Sequence, residues 1–413
     1  MLRAYKYRIY PTNEQQVMFA KTFGCCRFVQ NWALGLRKDA YEKEKVSIPC
    51  RDLQDKLVHE LKEKKEWLKE VNSQALLNAL KNHETAFRNF FRDPKVGYPK
   101  FRSRKGRQSF QCPQHCSVDF SSGTISIPKV NGIPAKLHRK FVGNVKTVTV
   151  SKEPSGKYFA SVLVDTGIKE PVPPERNAEN TVGMDMGVET LVVCSDGREF
   201  QNHRYLKKSL DKIVSLQKSL ARKQPGSANR EKARVRLARA YEHVTNQRKD
   251  TLHKITYRLT HDSQVKTCCM EDLNVNGLSR NHHLASSILD AGFGMFADML
   301  EYKCRWYGVN FVKIDRFAPS SKTCSHCGYV YKDLKLSQRE WTCACCGTRH
   351  NRDFNAAINI KKLGISCPTL GARESHALED PTVDDRHRPK KQWSGESGKV
   401  RAMQSDAPVF RRV

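Results

Sequence analysis

Cys324-Ser325-His326-Cys327 and Cys343-Ala344-Cys345-Cys346, followed six residues later by Arg352-Asp353-Phe354-Asn355-Ala356-Ala357, form the stretch that decides how this chain is read. The spacing C-x2-C-x15-C-x2-C is that of a four-thiolate zinc site, and two such pairs are uncommon by chance. Cys324, Cys327, Cys343 and Cys346 are the expected ligands of one Zn2+ ion. Four thiolates leave no open position on the metal, so a structural ion is expected. Cys345 could compete as a ligand, but only Cys343 pairs with Cys346 across two intervening residues. A lone carboxylate, Asp353, opens a helix just after this ribbon. The ribbon therefore reads as an insertion, and its host should hold further carboxylates upstream.

They are found where strands are expected. Thr181-Val182-Gly183-Met184-Asp185-Met186-Gly187 reads as a buried strand, followed by Thr190 to Cys194 and a Ser195-Asp196-Gly197 turn. Gln264 to Met270 is a second buried strand, ending at Glu271-Asp272. Phe293, Phe296, Leu300 and Tyr307 mark a helix, and Phe311 to Ile314 another strand. Asp353 opens a short helix through Ile360. Without the ribbon the order is strand, strand, strand, helix, strand, helix, strand, helix. This is the order of an α/β nuclease domain of the RNase H-like type. Asp185 then lies on the first strand, Glu271 ends the fourth, and Asp353 enters the last helix. Each alone has a bland reading: a turn residue, a strand end, a helix N-cap. Together they are a candidate catalytic set. Hard cations prefer oxygen ligands. Three carboxylates can hold two Mg2+ ions about 4 Å apart, one activating water and one stabilising the leaving 3′ oxygen. Glu189 and Asp272 are secondary candidates.

The net charge is +30, from 73 Lys+Arg against 43 Asp+Glu in 413 residues. That surplus points first to nucleic acid as partner. Residues 202–258 alone hold 16 Lys+Arg against 4 Asp+Glu on a helical pattern. No apolar run approaches the roughly 18 residues of a membrane span, and the first residues lack the apolar stretch of a signal peptide. The 15 cysteines are odd in number and scattered, some in adjacent pairs such as Cys25-Cys26 and Cys268-Cys269. A reducing cytoplasm and small core thiols are expected. Cys112-Pro113-Gln114-His115-Cys116 mimics a metal site but has no partner pair nearby.

In the first half, Ala4 to Tyr10 alternates like a strand. Thr12-Asn13-Glu14-Gln15 reads as a capping box. Residues 13–92 are helical in character, with Leu76, Leu80, Phe87 and Phe91 on one face of a helix that Ser73 could cap. Gly97-Tyr98-Pro99-Lys100-Phe101-Arg102 begins a loop where cations and rings interleave, suited to phosphates and bases. Ser117 to Val164 reads as short strands, with a hairpin around Pro154-Ser155-Gly156. A small β-barrel interrupted by a helical block is expected. Residues 171–180 are a linker by composition, and a tail from 364 to 413 is expected to be disordered.

Gly183-Met184-Asp185-Met186-Gly187, Met270-Glu271-Asp272-Leu273, the cysteine quartet and His350-Asn351-Arg352-Asp353-Phe354-Asn355-Ala356-Ala357-Ile358-Asn359-Ile360 together resemble the TnpB family. These are transposon-encoded relatives of the compact type V CRISPR nucleases. Arg27-Phe28-Val29, Leu80-Lys81-Asn82, Gly97 to Phe101, Leu252-His253-Lys254 and Pro319 to Cys324 extend the resemblance over residues 1–363. It implies an OB-like wedge (1–12 and 108–170), a helical recognition domain (13–107), a RuvC-like nuclease domain (181–319 and 351–363) and a zinc ribbon (320–350). It implies cleavage of double-stranded DNA beside a short target-adjacent motif, directed by a guide RNA from the transposon end. Asp185, Glu271 and Asp353 are by this resemblance the metal-binding catalytic residues. The chain is expected to act as a monomer in a bacterial or archaeal cytoplasm, associated with the nucleoid and with no membrane. Asn351 departs from the family, where many members carry Asp, and little loss is expected. An RNA-guided repressor and a DNA strand transferase on the same fold are the alternative readings.

Overall fold

The computed structural model describes residues 1–93, 95–281, 285–335 and 337–367. The expected disorder of the tail lies, from residue 368, outside the described residues.

The first half is built on a seven-stranded antiparallel sheet: β1 (Leu2–Ile9), β2 (Gln108–Cys112), β3 (Ser117–Asp119), β4 (Thr124–Ile127), β5 (Val130–Lys136), β6 (Asn144–Lys152) and β7 (Tyr158–Asp165). Their order is β2-β6-β7-β1-β5-β4-β3. β1 pairs along its whole length with β7, from Leu2↔Asp165 to Ile9↔Tyr158. The most N-terminal segment thus sits mid-sheet, and the helical block is an insertion between it and β2. Of the block, α1 (Asn13–Glu44) opens on the expected capping box, with Thr12 and Gln15 exchanging bonds. Phe19, Phe23, Cys26, Val29 and Ala33, spaced three or four apart, are buried against the sheet.

Two local expectations are corrected on α2 (Ser73–Arg92). Asn72 is the cap, its Oδ1 accepting from the Gln74 amide at 2.9 Å, and Ser73 is the first helical residue. Phe91 is 56% exposed, off the face that buries Leu76, Leu80 and Phe87. The basic loop that follows is pinned where Tyr98 packs edge-on against Phe87 and Phe90, at 5.4 and 5.5 Å. Phe101 stays exposed.

The second half has a five-stranded mixed sheet: β8 (Thr181–Met186), β9 (Thr190–Cys194), β10 (Glu199–Gln201), β11 (Thr267–Glu271) and β12 (Asn310–Ile314). The order is β10-β9-β8-β11-β12. β8 pairs antiparallel with β9 but parallel with β11, and β11 parallel with β12. A basic helical hairpin, α3 (Leu210–Ala221) and α4 (Ala228–His261), connects β10 to β11. α5 (Phe293–Tyr307) connects β11 to β12. Cys268 and Met270 face a core shared with Leu252, Leu259, Phe296 and Leu300 of α4 and α5. Cys269, one step out of phase, faces the other side with Ile314 and Ile360.

That other side is covered by α6 (Arg352–Ser366), which follows the ribbon hairpin of β13 (Glu340–Thr342) and β14 (Arg349–Asn351). α6 runs past Ile360 and Leu363, so the expected tail begins later than residue 364. The helix backbone lies directly on the sheet. A Cβ on Gly183 would strike the Ala357 carbonyl and the Lys361 amide, and one on Gly364 would come 2.7 Å from Cys269 Cβ. Gly183→Ala is therefore expected to cost about 1–3 kcal/mol or more, since backbone cannot yield as a side chain can. A urea titration measures it; an unchanged midpoint would mean that α6 does not lie this close.

Candidate active site and metal centre

The period of two along a strand decides where the acids point. Gly183 and Cys269 face α6, so Asp185 and Glu271, two residues on, share that face. Register places them side by side, one step beyond the last paired residues, Met270↔Met184. α6 begins there, and Asp353 lies in its first turn. The structure thus brings Asp185, Glu271 and Asp353 together at one end of the sheet. Their proximity is felt electrostatically. Burial first, then the charges of Glu271 and Asp353, push the Asp185 carboxyl up to about 7, against the opposing pull of Arg352 and Arg339.

Asn351 has a structural role at the start of the helix. It caps α6, its Oδ1 accepting from the Asp353 and Phe354 amides, both at 3.1 Å. An uncharged cap adds no fourth carboxylate to a crowded acidic site. The secondary candidates separate. Asp272 is held outside by Arg316 at 2.5 Å. Glu189 reaches the site through Arg339, which donates to both Asp353 oxygens at 3.2 Å and to Glu189 at 3.0 Å.

Sequence reasoning missed Arg339. It lies just before β13 in a polar run, and only the ribbon's docking carries it to the acids. Ser320 was missed likewise. It is buried, and its hydroxyl donates to Glu271 Oε1. Asn355 and Asn359 had a legible signal: two amides four apart on an otherwise apolar helix face.

In the ribbon, the ligand atoms of Cys324, Cys327, Cys343 and Cys346 lie within 4.8 Å of one another. Cys324 and Cys346, and Cys327 and Cys343, have sulfurs 3.6 Å apart. Four sulfurs about 2.3 Å from a tetrahedral centre would stand about 3.8 Å apart, so the quartet fits zinc. The two halves repeat one knuckle. The Gly328 amide donates to the Cys324 carbonyl and the Gly347 amide to Cys343, each at 2.9 Å. Both glycines take positive φ, 78° and 70°, as the turn requires. Cys345 is exposed and outside the cluster. Cys112, His115 and Cys116 form no such cluster among the described residues. His350 is buried between Trp341 and Cys324, with Nε2 3.0 Å from the Cys324 sulfur.

The basic helical hairpin and the Gly97–Arg107 loop supply cationic surface in both halves of the chain. Among the described residues no helix is long and apolar enough to cross a membrane.

Three family models match the chain. Residues 293–360 match a "Cas12f1-like, TNB domain", residues 149–282 a "Probable transposase" and residues 1–45 a "Helix-turn-helix domain". Over that last segment the structure has a strand and one unbroken helix, α1. A protein of Streptomyces pristinaespiralis named "Putative RNA-guided DNA endonuclease" is 38% identical over 89% of this chain and 91% of its own. The Escherichia coli (strain K12) protein InsQ, similarly named, is 32% identical over 92% of this chain and 98% of its own. A solved Cas12f1 complex with guide RNA and target DNA shares the fold at a TM-score of 0.50, with 14% identity, over 87% of this chain and 98% of that one. The chain belongs to the TnpB family of transposon-associated proteins.

Proposed function

We propose that this protein is an RNA-guided endonuclease that cuts double-stranded DNA beside a short target-adjacent motif by Mg2+-dependent hydrolysis. The observation that carries the reading is the convergence of Asp185, Glu271 and Asp353 at one sheet end, under an N-terminal helix turn. The names of the relatives support it. The strand order β10-β9-β8-β11-β12, with three antiparallel strands and two parallel additions, supports an RNase H-like, RuvC-type domain. The seven-stranded sheet with its helical insertion is the corresponding wedge and recognition unit.

The charges of Glu271 and Asp353 act against that of Asp185, and hard divalent cations relieve such repulsion. Bound there, such ions would supply an activated water and stabilise the leaving oxygen. The chain's own residues do the positioning. Ser320 fixes Glu271, Asn351 sets the first turn that carries Asp353, and Gly183 lets α6 approach. Arg339 neutralises part of the acidic charge, and its planar fork suits a DNA phosphate equally well. The basic surfaces neutralise RNA and heteroduplex phosphates while base pairing reads the sequence.

The test is purification with copurifying RNA, sequencing of that RNA, and incubation with plasmid carrying the matching target. One discrete structured RNA and cutting only with Mg2+ or Mn2+ are expected. A gel shift without scission would make the protein a guided repressor, and joined ends a strand transferase. Absence of a discrete RNA would overturn the guided reading.

A further inference from the structure

The turn from Pro319 to Cys324 touches both metal sites. At one end Ser320, 3% exposed, donates its hydroxyl to Glu271 Oε1. At the other end Cys324 is a zinc ligand. Between them α6 holds the turn by two buried amides. Asn355, 1% exposed, brackets Cys324: its Nδ2 donates to the Thr323 carbonyl at 2.8 Å, and its Oδ1 accepts from the Ser325 amide at 2.9 Å. Asn359, 6% exposed, donates to the carbonyls of Ser320 and Thr323 at 2.8 and 2.6 Å. Asn355 lies two residues beyond Asp353 on the same helix. Buried amides that satisfy backbone groups so fully are costly to break, because each bond lost strands a desolvated partner.

We propose that this turn is a rigid strap coupling the zinc ribbon to the carboxylate site, with Asn355, Asn359 and Ser320 as positioning residues. A shift at Cys324 moves Ser320 and hence Glu271; a shift of α6 moves Asp353 and Cys324 together. Divalent cation affinity at the carboxylates therefore depends on an intact zinc knuckle, and zinc retention on α6. The coupling rests on the reading of Asp185, Glu271 and Asp353 as cation ligands, but not on DNA cleavage.

The experiment uses the full chain holding zinc, and reads two quantities independent of activity. One is the rate of zinc release to a chromogenic chelator. The other is Mn2+ affinity, from the paramagnetic resonance of free Mn2+. Outer-shell partners of metal ligands are worth roughly 10- to 100-fold in affinity. Ser320→Ala is expected to weaken Mn2+ by about 10-fold on that scale, and Ser320→Thr, which keeps the hydroxyl, to restore it. Asn355→Leu is expected to speed zinc release and weaken Mn2+ binding, each by about 10-fold. Faster zinc release with unchanged Mn2+ affinity would overturn the coupling. So would a Ser320→Ala protein that binds Mn2+ like wild type. Should Asn355→Leu fail to fold, the Ser320 pair decides. If the metal affinities move as expected but the wild-type complex cuts no DNA, the coupling stands and the nuclease reading falls.

Discussion

Asp185→Asn is expected to slow DNA cleavage by about 1,000-fold or more, on the order of 4 kcal/mol of transition-state stabilisation. The same substitution is expected to stabilise the protein when no divalent cation is added. Burial and the neighbouring Glu271 and Asp353 raise the Asp185 carboxyl from 3.8 to about 7. Between those values the folded state binds a proton that the unfolded chain has released. Its contribution to stability is therefore lost as pH rises from about 4 to about 7. Asparagine carries no charge to bury, so the variant should lack this slope. Its advantage should grow with pH and level off above about 7, at a few kcal/mol in order of magnitude. Melting temperatures from pH 5 to 8 measure it, beside cleavage by the guide-loaded complex. A variant that cuts as fast as wild type would remove Asp185 from the active site. A variant that melts at the same temperature at every pH would show the three acids to be less crowded than their placement requires.

The same acids explain what could be read from residues alone. β8 and β11 are short apolar runs with an acid at or next to their last residue, a pattern that a buried strand with a polar end produces. The quartet was legible for a similar reason, since two C-x2-C pairs constrain the fold over only 23 residues from Cys324 to Cys346. What escaped depends on docking. Arg339 and Ser320 have ordinary polar neighbours, and only the seating of the ribbon on α6 brings them to Asp353 and Glu271. Gly364 falls where the tail is expected to begin, yet it lies inside α6, where lack of a side chain lets the helix settle on Cys269. Phe91 fits the apolar period of α2 but overruns the partner surface. Periodicity finds a face; it does not say how far the neighbour extends.

Cys343→Ser is expected to have the second large effect, on the ribbon. Among the described residues, the ribbon's own apolar cluster is Cys324, Leu334, Trp341 and Cys343, with Tyr331 and Cys346 packed beside it. Two of these four belong to the cysteine quartet. A segment of this size cannot bury enough apolar surface to order itself, and below about 40 residues a metal or disulfide usually supplies the difference. Binding energy at such a site is largely folding energy, about 10–16 kcal/mol for structural zinc in isolated fingers. Replacing a thiolate by a hydroxyl should therefore release the zinc and unfold the hairpin of β13 and β14, which carries Arg339 and leads directly into Asp353. Zinc content should fall from one ion per chain to near none. Limited proteolysis should cut between residues 324 and 350, and cleavage of target DNA should fall by about 100-fold or more, as expected when metal-site geometry is lost. Guide RNA binding should persist, because the basic hairpin of α3 and α4 is a separate element. Cys345→Ser supplies the control: that thiol is exposed and outside the cluster, so zinc content and cleavage should stay at wild-type levels. Equal zinc loss in both variants would mean that the ligand set is wrong. Full cleavage by a zinc-free Cys343→Ser protein would separate the ribbon from the active site, and leave Arg339 without a part in it.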